Sequence, residues 1–364
     1  MTLKAAIIGT GGIARAHVHA IRSNAPRVDL VAAADIDAAR AAAFCQEHGI
    51  PASYADAGEL LERERPDLVH ICTPPSTHRD LILQSLEAGA WVLCEKPLCA
   101  SLAEMDEIEE AEQRTGNFCS SVFQWRFGSA GQHLKQLIAQ EALGRPLVGV
   151  CHTLWYRDEA YYAVPWRGKW STELGGVSMG HGIHAMDFFL WLLGDWEEIT
   201  ANAGTLYHKI EVEDVSMALL RMKNGAMASI VNSVLSPRQE SYIRLDFERA
   251  TVELRHLYHY TNDNWTFTPV PGPDSEKLQA AWAANPTDIG SSHAAQLSAM
   301  LDAMERGERP PVSGPDVRRT IEFLASLYKA AFTGARVSQG SITPDDPFYH
   351  HMAGPFVKAG QNTG

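Results

Sequence analysis

A short apolar strand, Ala5-Ala6-Ile7-Ile8, runs directly into Gly9-Thr10-Gly11-Gly12-Ile13-Ala14 and then into a helical stretch ending near Ser23. Strand, glycine turn and helix in that order leave few folds open. Gly9 permits the tight turn, Gly11 lets the backbone approach a pyrophosphate, Gly12 and Ile13 complete the turn, and Ala14 keeps helix and strand close. Many glycine-rich turns match such a pattern, so the next strand has to decide. That strand, Leu30-Val31-Ala32-Ala33-Ala34, ends in Asp35. This is close to the spacing of about 20 residues at which an acid accepts hydrogen bonds from the adenosine ribose and repels a 2′-phosphate. Ile36-Asp37 come next, rather than Arg or Ser, so NAD is expected ahead of NADP. The plainer reading of Asp35 or Asp37 is a helix N-cap.

The alternation continues. Helices are expected over Ala38–His48, with Gly49 as C-cap, and over Ala57–Glu64. Strand Asp67–Cys72 leads into the turn Thr73-Pro74-Pro75-Ser76-Thr77-His78 and the helix Arg79–Ala88. Strand Trp91–Cys94, the Ser101-capped helix Leu102–Thr115 and strand Phe118–Phe123 complete the series. Strands alternating with helices give a doubly wound, Rossmann-type parallel sheet, with ligands beyond the carboxyl ends of the strands. Gly9-Gly11, Asp35, Thr73-Pro74 and Glu95-Lys96 all fall at such ends. Lys96 follows an apolar strand and is pinned by Pro97. An ammonium there can bind an oxygen, and burial lowers the pKa of such a group toward proton transfer. A surface ion pair with Glu95 explains the four residues Cys94–Pro97 equally well; the shared sheet edge favours the ligand.

Composition narrows the class. The 364 residues are enough for two domains with real cores. A net charge of −13 argues against a nucleic-acid or anionic-membrane partner. Met1-Thr2-Leu3-Lys4 leads into a strand rather than a signal peptide, and no apolar run approaches a membrane span. The six cysteines lack metal-like spacing and are expected as buried free thiols of a cytoplasmic protein.

Beyond Phe123 the rhythm changes. Gln124-Trp125-Arg126-Phe127 leads to a helix, His133–Gln140. Strand-like runs succeed it at Leu147–Trp155, Glu198–Thr205, Val215–Arg221, Ala226–Val234, Tyr242–Phe247 and Thr251–Arg255, with a hairpin signal at Lys223-Asn224-Gly225. One large, mostly antiparallel open sheet flanked by helices is expected. Gly175-Gly176 opens a helix carrying His181, His184 and Asp187 at spacings of three, close to one stripe. The spacing could serve a metal, but no fourth ligand is evident, and no metal is expected. Ser291–Glu305 and Pro315–Phe332 read as amphipathic helices; His293, at the start of the first, reads as a surface histidine ahead of one that reaches the substrate cleft. Tyr258–Trp265 reads as a substrate rim or an edge strand. The division expected is 1–123, 124–337 and a C-terminal tail, 338–364, poorly ordered or wrapped on an oligomer.

The glycine turn, Thr73-Pro74-Pro75, Glu95-Lys96-Pro97 and Gly175-Gly176…His184…Asp187 together resemble the glucose–fructose oxidoreductase / inositol dehydrogenase / MocA family, from about residue 3 to about 337. The resemblance implies that Lys96 lies by the nicotinamide and the reacting hydroxyl. It places Thr73, Pro74 and His78 near the nicotinamide end and the catalytic histidine at His184, with Glu95 helping to hold Lys96. It also implies C-terminal helices packing back toward the cofactor domain and a homodimer or homotetramer. Two departures stand out. Gln124 replaces the family's Asn, and Gly180 replaces a common Asp, so either His181 substitutes for that acid or substrate binding differs.

The expected activity is NAD-dependent hydride transfer at a secondary alcohol of a sugar, glycoside or cyclitol. Arg126, Trp155, Trp166, Arg167, Lys169, His181, His184 and Lys96 are the candidate substrate contacts. Trp166 and Trp170 could equally be core. The alternative is a tightly held cofactor that is oxidised and re-reduced within a hydrolase, lyase or isomerase cycle.

Overall fold

In the computed structural model, residues 2–285 and 287–356 are described. Their contacts divide into two units, Met1–Phe123 with Ser292–Arg319, and Gln124–Ser291 with Thr320–Gly364.

The first unit alternates as its sequence pattern requires. It comprises β1 (Leu3–Ile8), α1 (Ala14–Ser23), β2 (Val28–Ala34), α2 (Ala38–His48), β3 (Ala52–Tyr54) and α3 (Ala57–Glu64), then β4 (Leu68–Ile71), α4 (His78–Glu87), β5 (Trp91–Cys94), α5 (Leu102–Thr115) and β6 (Cys119–Ser121). The sheet is parallel, in the order β3-β2-β1-β4-β5-β6. Asp37 and Ser101 cap α2 and α5 by accepting from the amides of Arg40 and Glu104. Strand β4 and the last four residues of β1 are buried on both faces, as a sheet covered by helices demands.

Ser292–Arg319 differs from the expected division, because it belongs to this unit rather than to 124–337. Leu297, Met300 and Leu301, spaced to share one helical face, enter the same core as Val18, Ile21 and Leu93. Arg27 fixes that helix through Asp302 at 2.6 Å and Glu305 at 3.0 Å. His293 is accordingly not a surface residue: its side chain is 15% exposed and bonded to Glu95.

The second unit is a sheet of β7 (Pro146–Tyr156), β8 (Trp196–Gly204), β9 (Val215–Met222), β10 (Met227–Ser233), β11 (Leu235–Phe247), β12 (Ala250–His256), β13 (Trp265–Pro269) and β14 (Val337–Ser338). Its order is β13-β12-β11-β7-β10-β9-β8-β14, and only β7–β10 is parallel. Alternation along β9 buries Ser216, Ala218 and Leu220 and leaves Met217 and Leu219 exposed. One face carries the helix Ile183–Leu193, apolar around most of its circumference and buried at ten of its positions. Its one acid, Asp187, is fully buried and met by both Arg126 nitrogens, Nε at 2.7 Å and a terminal nitrogen at 2.6 Å, and by the Thr320 hydroxyl at 2.8 Å. Removing one partner from such a buried pair costs about 3–5 kcal/mol.

Two stretches are more ordered than their composition suggests. The tail beyond Val337 pairs β14 with β8, and a short helix, Pro347–His350, buries Phe348 and Tyr349. In place of the poorly ordered tail expected, the chain packs Phe348 and Tyr349 into the unit while Phe356 stays exposed, and residues 357–364 lie outside those described. Within Tyr258–Trp265, Tyr260 is core, and β13 starts only at Trp265, as an edge strand.

All six cysteines are buried free thiols, and among the described residues no helix is long and apolar enough to cross a membrane.

Burial also sets the acid response. It holds His17, His70 and His78 below the ordinary histidine value of 6.5, and His256 down to about 3. A histidine kept neutral in the fold but free to ionise when unfolded lets the unfolded chain bind more protons, so stability falls as pH drops below about 6.5. The unfolding midpoint should therefore decrease steadily from about pH 7 to about pH 5, and less steeply in His256→Leu. A midpoint flat across that interval in the wild type would contradict the burial argument.

Candidate active site

In the first unit, strand register brings the candidate residues to one edge. Ile8 pairs with Ala34 on one side and Ile71 on the other, and Ile71 pairs with Cys94. Gly9, Asp35, Cys72 and Glu95 therefore leave their strands at one level, with β1 at the point where strand order reverses. Gly9 has φ +92°, and a Cβ there would stand 2.8 Å from the Cys72 and Thr73 backbone. Nothing lies within 4 Å of where Gly11 and Gly12 would carry a Cβ, and both, with Ile13, are exposed. That open backbone at the start of α1 fits a pyrophosphate.

Asp35 accepts from the Thr10 amide and hydroxyl, both at 2.9 Å, and from the Asp37 amide at 3.0 Å, while Arg40 forks onto it at 3.0 and 2.6 Å. Burial opposes its ionisation, but Arg40 and these donors prevail and hold the carboxyl at about 2. The N-cap role falls to Asp37, and Asp35 is left as an anion beside the glycine turn. Thr73 and Pro74 follow β4, tied by the Thr77 hydroxyl at 2.7 and 2.9 Å. His78 is wholly buried, with Nδ1 2.7 Å from the Pro97 carbonyl and Nε2 2.9 Å from that of Thr73. The neutral ring has one N–H, so it bonds one of these carbonyls and lies between the two turns.

Glu95 is the hub of this edge. Its Oε1 meets His17 Nε2 and His293 Nε2, each at 3.1 Å, and its Oε2 accepts from the Lys96 amide at 3.3 Å. Burial alone would raise the carboxyl; the two imidazoles outweigh it and hold Glu95 well below the usual range. A carboxylate can only accept, so His17 donates through Nε2, and its Nδ1 accepts from His70 Nδ1 at 2.8 Å. His70 Nε2 then remains as a buried lone pair. His17, Glu95 and His293 also bring three ligand atoms within 4.8 Å. A cation would need the His17 Nε2 lone pair, which would shift its proton toward His70 and bury an unpartnered N–H there. The network is better satisfied as hydrogen bonds.

In the second unit, His181 and His184 stand where a π-helical turn, Ser178–Gly182, passes into the helix Ile183–Leu193. Such turns occur frequently at functional sites. Its entrance is held by Glu213, which accepts from the Gly176 and Ser178 amides, both at 2.9 Å, and from the Tyr328 hydroxyl at 2.9 Å. Only glycine fits at 176, since a Cβ would fall 1.8 Å from the Glu213 carbonyl oxygen. The His184 ring stacks on Trp125 at 5.8 Å between centroids. His181 Nε2 takes the Arg157 Nε–H at 3.1 Å and lies 3.1 Å from the Tyr161 hydroxyl.

The other candidates divide. Arg126 forks onto Asp187 and so supports the histidine helix. Trp155 is buried with its indole N–H on Ser241 at 3.0 Å. Arg167 lies over the rings of Trp166 and Tyr161 and pairs with the buried Glu173 at 3.0 Å. Lys169 is exposed. At Gly180 the Glu173 carboxylate comes to 3.5 Å from where a Cβ would stand, so an acid reaches this point from a different position. Arg157, Tyr161, Glu173, His17, His70 and His293 have no motif to announce them. Only their polarity within apolar or aromatic stretches hints at a role.

Residues 3–123 match the model of an oxidoreductase family with an NAD-binding Rossmann fold, and residues 132–253 match the GFO/IDH/MocA C-terminal domain. The chain is 26% identical over 357 residues to a D-apiose dehydrogenase of Paraburkholderia graminis, covering 94% of this chain and 92% of that protein. It is also 26% identical over 315 residues to an inositol 2-dehydrogenase of Rubrobacter xylanophilus, covering 85% and 84%. The WlbA dehydrogenase of Bordetella pertussis, solved with NADH and UDP-GlcNAcA, superposes with a TM-score of 0.83 at 25% identity over 94% of this chain and 100% of that one. With the strand-end edge, the glycine turn and both domain models in agreement, the chain belongs to the GFO/IDH/MocA family of NAD-binding oxidoreductases.

Proposed function

We propose that this enzyme oxidises a secondary alcohol of a sugar, glycoside or cyclitol. The observation that carries the reading is the common strand-end level of the glycine turn, Asp35 and Glu95-Lys96. The relatives named for apiose and inositol support the substrate class. Bound NAD would take the hydride from the carbinol carbon. Gly9, Gly11, Gly12 and Ile13 would hold its pyrophosphate, Asp35 its adenosine ribose, and Thr73-Pro74 its nicotinamide end.

The chain's own work is on the hydroxyl. His184 takes its proton as the C–H bond breaks, and Lys96 donates a hydrogen bond to the same oxygen, steadying the developing alkoxide. Glu95 fixes the backbone at Lys96 by accepting its amide. In the reverse direction His184 returns the proton to the oxygen. The carbonyl product, the reduced cofactor and one proton balance the reaction.

These roles are testable one by one. Lys96→Ala and His184→Ala should each lower turnover by about two to four decades while NAD binding, read by fluorescence titration, is retained. Near-wild-type activity in both would refute the assignment. Asp35→Ser should remove the charge that repels a 2′-phosphate and release Arg40 to meet one. The NAD-to-NADP ratio of kcat/KM should then fall by at least about tenfold, and an unchanged ratio would count against Asp35 as the ribose ligand. Net oxidation also requires free NADH to accumulate in proportion to product, which a cycle with no net redox change would not give.

A further inference from the structure

At the end of β7 stands a guanidinium whose partners, among the described residues, are all neutral. Arg157 is half-buried. Its Nε donates to His181 Nε2 at 3.1 Å, and one terminal nitrogen donates to the Tyr156 carbonyl at 2.8 Å. Contacts to Gln239 Oε1 and the Tyr258 hydroxyl, both at 3.5 Å, are at the limit of a hydrogen bond. Its carbon lies 5.1 Å from the Trp155 ring centroid, 5.2 Å from that of Tyr161 and 6.0 Å from that of Tyr258. The neighbouring arginines of this unit are neutralised, Arg126 by Asp187 and Arg167 by Glu173. His181 cannot neutralise Arg157. An arginine only donates, so the nitrogen it meets bears a lone pair and the imidazole is uncharged there.

Three rings flank the guanidinium, while its terminal nitrogens stay open to solvent and two of its N–H groups make only long contacts. A planar fork with spare parallel donors matches a carboxylate. The position is also informative. Arg157 bonds His181, which sits three residues before His184 on the same helical run. Residues so spaced have Cβ atoms about 5–6 Å apart. The same aromatic wall continues to His184: Trp155 packs against Tyr258 at 4.9 Å, Trp125 donates to the Tyr258 carbonyl at 2.9 Å, and Trp125 stacks on His184. An anion held at Arg157 would therefore lie along the same aromatic wall as His184.

We infer that Arg157 binds a carboxylate of the substrate, so that the preferred polyol is a sugar acid rather than a neutral sugar. This rests on the dehydrogenase reading and specifies its substrate class. Arg157 is a specificity determinant and takes no part in the hydride or proton transfer.

The test compares pairs that differ only in CH2OH against COO−, methyl glucoside with methyl glucuronide and methyl galactoside with methyl galacturonide. Each is assayed with NAD in the wild type, Arg157→Gln and Arg157→Lys. Binding of the uronides is measured separately, without turnover, by tryptophan fluorescence. The wild type should prefer the acid of a pair by at least about tenfold in kcat/KM. Arg157→Gln should lose on the order of 100-fold on that acid, mainly in KM, with little change on the neutral member, and Arg157→Lys should restore part of the loss. Preference of the wild type for the neutral sugars, or equal losses on both members in Arg157→Gln, would overturn the inference and leave the dehydrogenase reading standing. If neither pair is oxidised, a uronide that binds the wild type but not Arg157→Gln sustains Arg157 as a carboxylate site and counts against the dehydrogenase reading. Failure of both uronides to bind the wild type overturns the inference.

Discussion

The Glu95 carboxylate is the contact on which the first unit's working edge depends. It ends β5, receives imidazoles from α1 and from the helix His293–Arg306, and accepts the amide of Lys96. Burying a carboxylate is costly unless its lone pairs are met, and here three donors meet them. The result is a strand end that cannot shift without breaking bonds to two other elements. A lysine immediately after it inherits that rigidity. The motif therefore ties the backbone at Lys96 to the acid that precedes it.

The second unit solves the same problem in another way. Its histidine helix is apolar around most of its circumference, so packing alone would leave its rotation weakly determined. The bidentate Arg126–Asp187 pair and the Thr320 hydroxyl set that rotation, and Glu213 fixes the π-helical turn leading into it. Buried ion pairs add little net stability but penalise alternatives heavily, because any other arrangement strands a charge. Here the pair fixes the orientation of the helix that carries His184.

Much of this architecture is legible in the chain. The glycine turn, the alternation of strands and helices, and the placement of Asp35 and Lys96 at strand ends come from periodicity and turn chemistry. The large sheet is legible too, except for β14, which, like β3 of the first sheet, is too short to show an alternating pattern. Less visible is every arrangement made by long-range contact. Ser292–Arg319 reads as an ordinary amphipathic helix and loop, and nothing local says which core its Leu297 and Leu301 enter. His293 reads as a surface histidine because its partner lies 198 positions away. Arg126 reads as available because its fork cannot be matched to Asp187 from spacing alone. Arg157, Tyr161 and Glu173 converge only when the loop after β7 folds against the π-helical turn.

The central claim is that the hydrogen on a substrate carbinol carbon leaves as hydride to the nicotinamide. A polyol or sugar acid carrying deuterium at the oxidised carbon tests it most directly, with the released cofactor analysed by mass spectrometry. Free NADH bearing one deuterium per carbonyl formed is the expected result. Substrate consumed with no labelled cofactor released into solution would contradict it.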